Sequence, residues 1–510
     1  MQSNSGGKKV DRWCYRYEGL SPTATVNIPE NSLTNLHSAV MCRLLYVPSS
    51  TGELEYPLLP DGCNITNRTK LTFTSSPNPV PMVNFVISQL IKHIPRVPPL
   101  SDHQFAGSFR GRKRKMYLHS AERLLVETIT TRDWSVTKGF IKYEALIKKD
   151  PVFRLILALG IDYNTMLGRF IKHAEHTIYQ SITDSFSVCK YPIIFKGMNA
   201  LEQGRCIAQK WARFEKPLAY SIDAKRFDQH VSYWMLREEF RVYLQLVEGS
   251  DKDQLAWLLS KQLRNNIKLR AHDGTIKTQV LGQRMTGTMN TGLGNCILAV
   301  ALAQGFCLNT GVPKHELIVN GDDVVIIVES PGFTVDSLKN WYRGYGFDMK
   351  VDAVVSKIEH VQFCQTQPVF VGPSIGDYLM VRNPKRAFVT DSICKFEKTS
   401  RGFQSWSEAV GTAGLSLYGS MPLFREFYKF FQRNGLRGKM SHPTTSWWVR
   451  HLATGLDYSS SNISDKTRLS FHEAFGVPPH VQFLLEEHLS QLRLESGCST
   501  SNFMDIILGC

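Results

Sequence analysis

The period of the apolar positions changes several times along this chain, and the sharpest pattern lies at residues 315–329. There Leu317-Ile318-Val319 and Val324-Val325-Ile326-Ile327-Val328 flank Asn320-Gly321-Asp322-Asp323. Apolar β-branched runs bounded by Asn, Gly and Asp predict two strands joined by a tight turn. Residues 217–222 predict a buried strand ending in Asp223, with a helix starting at Gln229. Residues 282–295 predict a glycine-rich loop that runs into a helix over the apolar stretch 296–303. Helical periodicity covers residues 82–94, most of 116–180, 335–346 and much of the tail from about 400. Residues 138–159 are the exception inside 116–180, basic at first and then strand-like. Residues 361–370 have the composition of a hairpin, and prolines at 77–81 and 95–99 mark rigid connectors. The mixture predicts an α+β fold.

Composition narrows the class. The chain has 510 residues, 43% hydrophobic and 21% charged, which is globular and large enough for several packed units. A formal net charge of +15 favours a polyanionic partner, either nucleic acid or an anionic membrane surface. Eleven cysteines occur without any C-x-x-C pair, which argues against a zinc cluster or disulfide framework and suits a reducing compartment. No unbroken apolar run approaches the roughly 18 residues of a membrane span, and the first residues lack the apolar core of a signal peptide. Arg110-Gly-Arg112-Lys113-Arg114-Lys115 is either a solvated loop or a phosphate contact. His173 and His176 have ligand-compatible spacing but no carboxylate or cysteine pattern to complete a metal site. Trp447 and Trp448 are expected in the core.

The acidic residues carry the candidate chemistry. Adjacent carboxylates repel, and desolvating them is costly unless a cation sits beside them. Asp322 and Asp323 therefore suggest divalent ions, the bland alternative being an exposed turn. Asp223, at the end of a strand, is placed to hold a metal, or simply to cap the next helix. Asp228 would lie one turn further, within reach of a ribose hydroxyl. Thr286, Thr291 and Asn295 offer hydrogen bonds, and Thr291 and Asn295 share a helix face. Glycines in and around that helix start let a backbone approach nucleic acid, with tight packing as the alternative. Lys142, Lys148, Lys149 and Arg154 could line a channel for triphosphates. A strand ending in Asp, a Gly/Thr/Asn loop-helix and an Asp-Asp hairpin, in that order, suit in-line nucleotidyl transfer by two Mg²⁺ ions about 3.5–4 Å apart. Asp223 and Asp322 would bridge the ions and Asp323 assist. Lys350 could protonate the leaving pyrophosphate or be an ordinary surface lysine.

At this point the chain resembles the viral RNA-dependent RNA polymerases, and among them those of the Tombusviridae and related plus-strand RNA viruses. Ser221-Ile-Asp223-Ala-Lys-Arg-Phe-Asp228-Gln-His230 resembles that family's motif A. Thr286-Gly287, Thr291 and Asn295 match motif B, and Asn320-Gly-Asp-Asp323 matches motif C. Lys350 falls in the motif D region, and Phe363-Cys364-Gln365 resembles motif E. Lys196-Gly-Met-Asn199-Ala200 and Gly204-Arg205 also look family-specific. The resemblance implies a right hand of fingers, palm and thumb. The divisions it suggests are an N-terminal extension with fingertips over 1–100, fingers over 101–216 and an insertion of the fingers over 236–280. Palm would occupy 217–235 and 281–370, and thumb 371–510. It implies that Asp228 and Asn295 read the ribose 2′-hydroxyl. Thr286, Gly287, Thr291, Arg154 and Lys142 would serve the nucleotide. Phe363, Cys364 and Gln365 would support the primer strand, with Arg112, Lys113 and Arg114 as further RNA contacts. The implied cofactor is Mg²⁺, with Mn²⁺ able to substitute. Implied partners are template and product RNA, NTPs, and viral or host replication proteins. The implied location is the host cytoplasm at membrane-associated complexes, with membrane contact through a partner.

One departure stands out. The family's fingertip motif usually reads Pro-Arg, two residues, then Gln-Pro-Arg. This chain reads Phe153-Arg154-Leu-Ile-Leu157-Ala158-Leu159, with Leu159 where a second Arg is expected over the triphosphate. Either Lys142, Lys148 or Lys149 compensates, or the chain is an impaired copy acting as an RNA-binding replication scaffold. Reverse transcription is a third alternative, disfavoured by the Asp228 and Asn295 pair.

Overall fold

The computed structural model describes residues 26–45, 81–126, 136–142, 153–329, 332–351, 354–372, 376–392, 400–436 and 453–492, with short pieces elsewhere. Trp447, Trp448, Lys148 and Lys149 lie outside the described residues. Helix α1 (Pro81–Ile91) buries Val83, Val86, Ile87 and Leu90 along one face, as its periodicity predicts. Helix α2 (Gly111–Val126) begins in the basic run, so Arg112, Lys113, Arg114 and Lys115 stand on an exposed first helical turn rather than in a loop. Tyr117, Ser120 and Ala121, on the face that packs, anchor it.

Strands β1 (Val136–Ile141) and β2 (Leu155–Leu159) pair antiparallel. Two helices follow, α3 (Ile161–Ile171) and α4 (Glu175–Asp184), where periodicity alone suggests one continuous helix. The break falls at residues 172–174, where Ala174 is fully buried and the chain turns. Helix α5 (Ala200–Trp211) starts on a capping box, with Asn199 accepting from the Leu201 and Glu202 backbone and Glu202 reaching back to the Asn199 N–H.

Strand β3 (Leu218–Ala224) ends one residue past Asp223, and helix α6 (Tyr233–Leu244) follows after a single short turn of helix at Phe227–His230. Strands β4 (Arg264–Arg270) and β5 (Thr275–Leu281) form a hairpin that β1 joins in parallel, giving the sheet order β5-β4-β1-β2. Helix α7 (Thr291–Asn309) is buried from Leu293 through Cys307. It is long and apolar enough to cross a membrane by length and composition, yet 83% of its apolar window is packed inside the fold. No unbroken apolar run marks it in the sequence because Asn295 and Gln304 interrupt it.

Strands β6 (His315–Asn320) and β7 (Asp323–Val328) form the expected hairpin, paired from His315 with Val328 to Asn320 with Asp323. Helix α8 (Val335–Gly344) leads to strand β8 (Met349–Val351). The second sheet runs β6-β7-β3-β8, with β3 antiparallel to both neighbours. Val324 to Val328 are at most 3% exposed, and each such side chain contributes about 1.5–3 kcal/mol of burial. One face of this sheet packs on α7 and α1, the other on the aromatic core of the C-terminal half.

Residues 361–370 make a turn rather than an isolated hairpin. Phe363 bridges Thr366, but strand β9 (Thr366–Phe370) takes its main partner from β10 (Tyr378–Arg382). The tail is helical as expected: α9 (Ser400–Tyr418), α10 (Phe424–Arg433), α11 (Asp465–Phe475) and α12 (Pro479–Gln491). Phe424, Phe427 and Phe431 of α10 pack with Phe388 and Trp406 in that second core.

Candidate active site

Sheet register brings the acidic residues together. Ile222 of β3 pairs with Val324 of β7, so Asp223 and Asp323, the next residues outward on each strand, are cross-strand neighbours. Such neighbours have Cβ atoms about 4.5–5.5 Å apart. Asp322 stands beside them at the hairpin turn. On the other side of β3, Lys350 pairs directly with Asp223 and so points to the same face of the sheet. Asp223, Asp323 and Lys350, up to 127 positions apart in sequence, thus share one face at one end of the sheet, with Asp322 next to Asp323 at the turn.

The electrostatics are those of crowded like charges. Burial, then the charges of Asp323, Asp228 and Asp223, push the Asp322 carboxyl up to about 7. Its side chain still meets solvent, which screens part of the repulsion. Asp323 is pushed up to about 6 by burial and by Asp223, against a hydrogen bond with the Cys364 side chain. Hard carboxylate oxygens that raise one another's proton affinity are the donor set that Mg²⁺ or Mn²⁺ would satisfy. Among the described residues no group of three or more His, Cys, Asp or Glu side chains is arranged to hold a metal ion by itself. An ion held through one or two carboxylates, water and substrate phosphates needs no such group.

Asp228 and Asn295 also meet. Asn295 Nδ2 donates to Asp228 Oδ1 at 2.8 Å, and Asn295 Oδ1 is buried with no hydrogen-bond partner. Burial raises the Asp228 pKa, while the Asn295 hydrogen bond and the Arg284 and Arg154 charges lower it. Arg154 is therefore close enough to act on this pocket. Lys142 joins it through the backbone, its N–H donating to the Arg154 carbonyl at 2.8 Å.

Other predicted residues are engaged elsewhere. The Thr286 hydroxyl accepts from the Leu157 N–H at 2.8 Å and lies 3.3 Å from the Leu155 carbonyl, and the Gly287 N–H donates to the Leu157 carbonyl. These bonds stitch the glycine-rich loop to β2. Thr291 donates to the Met285 carbonyl at 2.7 Å and closes the same loop. Phe363 is buried edge-on against Phe195, while Gln365 is exposed at the turn. Arg112, Lys113 and Arg114 stand on α2, away from the carboxylate sheet in sequence and on a separate element.

Gly294 of α7 has a packing reason, the alternative that the sequence left open. A Cβ on Gly294 would run into the buried Glu239 carboxylate and Arg284 guanidinium, whereas one on Gly292 would meet only the ammonium end of the flexible Lys196 side chain, which can move aside. Glu239 is fully buried and paired with Arg284, whose N–H also donates to the Asp228 carbonyl at 2.9 Å. Tyr243 and Asn290 complete the Glu239 partners. Sequence reading missed this pair, which ties the loop to the Asp228 segment. Its one available signal was an Arg inside an otherwise uncharged loop, three residues after the strand end.

Leu159 also changes meaning. Exposure alternates along β2, with Leu155, Leu157 and Leu159 buried and Arg154, Ile156 and Ala158 on the more open face. Five residues apart, Arg154 and Leu159 point to opposite faces. Leu159 is 2% exposed and packs in the core with Tyr163 and Leu167. It does not stand where a cation could cover a triphosphate in this structure.

Comparison with known proteins follows the same lines. The family model of viral RNA dependent RNA polymerases matches residues 2–497. The chain is 32% identical to an RNA-directed RNA polymerase of oat chlorotic stunt virus, over 96% of this chain and 66% of that protein. It is 33% identical to those of tobacco necrosis virus strain A and Panicum mosaic virus, over 96% and 95% of this chain and 65% and 48% of theirs. The chain thus spans about half to two thirds of the length of these relatives. With the family match running over nearly all of its length, the chain belongs to the viral RNA-dependent RNA polymerase family.

Proposed function

We propose that this chain carries out template-directed RNA synthesis in the replication of a plus-strand RNA virus genome. The observation that carries the proposal is the register that sets Asp223 beside Asp323, with Asp322 at the turn and Lys350 on the same face. Asp223, Asp322 and Asp323 would hold the divalent ions. When bound, those ions supply activation of the attacking 3′-hydroxyl and charge neutralisation of the leaving pyrophosphate. Lys350 would give a proton to the pyrophosphate, and Arg154, with Lys142, would orient the triphosphate. Asp228 and Asn295 would read the ribose, because Asn295 Oδ1 is a buried acceptor without a donor and a 2′-hydroxyl supplies one.

In the same proposal the β6-β7-β3-β8 sheet and its flanks, 217–235 and 281–370, are the palm. The β5-β4-β1-β2 sheet and neighbouring helices, 101–216 and 236–280, are fingers, and the part after 371 is the thumb. Template and product RNA and NTPs are its partners, joined by viral or host replication proteins in the host cytoplasm.

The test is sugar discrimination. On a single-stranded RNA template with Mg²⁺, the wild type should use rNTPs far better than dNTPs. Asn295→Ala should cut that preference about 10-fold, the scale of one hydrogen bond or slightly more, mostly through the KM for rNTP. An active Asn295→Ala chain with unchanged discrimination would remove Asn295 from the ribose site.

A further inference from the structure

The turn from Phe363 to Thr366 is closed by reciprocal backbone hydrogen bonds, Phe363 N–H to the Thr366 carbonyl at 3.0 Å and the reverse at 2.9 Å. Its two central residues, Cys364 (φ 49°) and Gln365 (φ 62°), both lie in the left-handed region. Asn-Gly is the usual choice there, and a residue with a Cβ costs roughly 1–2 kcal/mol per position. A turn that only reversed the chain would gain by replacing both residues. The strain places one group, the Cys364 thiol, against the acidic hairpin.

That thiol accepts from Asn320 Nδ2 at 3.5 Å and shares a hydrogen bond with the Asp323 side chain. Against an ionised carboxylate the S–H is the donor. A second sulfur meets the same hairpin, the Cys296 Sγ of α7 accepting the Gly321 N–H at 3.2 Å. Asn320-Gly321-Asp322-Asp323 is therefore braced from two independent elements. Sulfur bonds weakly, so the bracing orients the carboxylate without neutralising it.

We infer that Cys364 is a positioning residue: its thiol holds the Asp323 carboxylate in the orientation that receives a divalent ion. The inference rests on the proposal that Asp323 is a metal ligand. Groups that orient ligands in this way typically affect metal affinity 10–100-fold when removed. Through the same contact, the turn that the family resemblance assigns to support of the primer strand is linked to the metal-binding pair.

The experiment is Mn²⁺ binding to the purified full chain, followed by electron paramagnetic resonance of the free ion. Wild type, Cys364→Ala, Cys364→Ser, Cys364→Gly and Asp223→Asn are compared, and the Mg²⁺ dependence of synthesis is measured alongside. Cys364→Ala should weaken Mn²⁺ binding about 10-fold and raise half-saturating Mg²⁺ by a similar factor, with much of the loss recovered at high Mg²⁺. Cys364→Ser, which keeps a donor, should recover most of the affinity. Cys364→Gly relieves the left-handed strain, so it should melt no lower than wild type and still bind Mn²⁺ weakly. Wild-type Mn²⁺ affinity in Cys364→Gly or Cys364→Ala, with binding lost in Asp223→Asn, would overturn this inference and leave the two-ion proposal standing. Failure of the wild type itself to bind Mn²⁺, or equal binding by Asp223→Asn, would overturn both.

Discussion

Asp322→Asn is expected to reduce RNA synthesis by about 10³-fold or more, while the metal-free chain melts no lower than wild type. The loss follows from removing a charge that a two-ion site needs, on the scale seen when a preorganised electrostatic group is deleted. The stability follows from crowding. Burial and the charges of Asp323, Asp228 and Asp223 raise the Asp322 pKa to about 7, from an ordinary carboxylate near 3.8. A carboxyl raised on folding binds more protons in the folded than in the unfolded state between those values. Its cost is absent below about pH 4, grows as pH rises, and is complete above about pH 7. In EDTA the wild type should therefore lose melting temperature across that interval, and Asp322→Asn should lose less. Asp323, raised to about 6, contributes in the same direction and remains in the variant. Added Mn²⁺ should raise the wild-type melting temperature and barely move that of Asp322→Asn. Melting curves from pH 4 to 8 with and without metal check both parts. A variant that melts lower than wild type at neutral pH in EDTA would contradict the crowding.

Leu159→Arg is expected to destabilise the chain by about 3–5 kcal/mol, the cost of an uncompensated buried charge. The family pattern alone argues the reverse, that Arg at this position restores a missing triphosphate contact. The structure points Leu159 into the core beside Tyr163 and Leu167, and the β2 alternation leaves Arg154 on the open face. Leu159→Met, which conserves volume, should cost less than about 1.5 kcal/mol. Chemical denaturation of the three proteins separates these outcomes, and synthesis assays should show no gain for Leu159→Arg. A stable, more active Leu159→Arg chain would show that β2 can turn this residue toward the nucleotide.

The acidic hairpin was legible because strand period and turn chemistry agree there: β-branched runs on both sides, Asn-Gly-Asp between. Asp223 was legible for the same reason, as the polar residue that ends a buried strand. What the sequence could not supply was register, and register decides that Asp223 faces Asp323 and Lys350 rather than their neighbours. The α7 glycines show a different limit. Their spacing is visible, but the group that needs the space at Gly294, the buried Glu239 carboxylate, comes from α6, far away in sequence. Thr286 and Thr291 carry hydroxyls suited to a nucleotide, and the structure engages both with backbone carbonyls or N–H groups of the loop and β2. Basic residues 112–115 looked like loop because clustered like charges disfavour a helix start. Tertiary packing of Tyr117, Ser120 and Ala121 overrides that local preference.

Synthesis on a defined template decides whether this chain copies RNA at the Asp223, Asp322 and Asp323 cluster. The purified chain is given a short single-stranded RNA, four rNTPs and Mg²⁺ or Mn²⁺, and labelled product is resolved by length and sequence. The wild type should give a complementary product, dependent on the metal and absent with Asp322→Asn. Equal product from Asp322→Asn would contradict copying at this cluster, as would a folded wild-type chain that binds RNA and makes none with either metal.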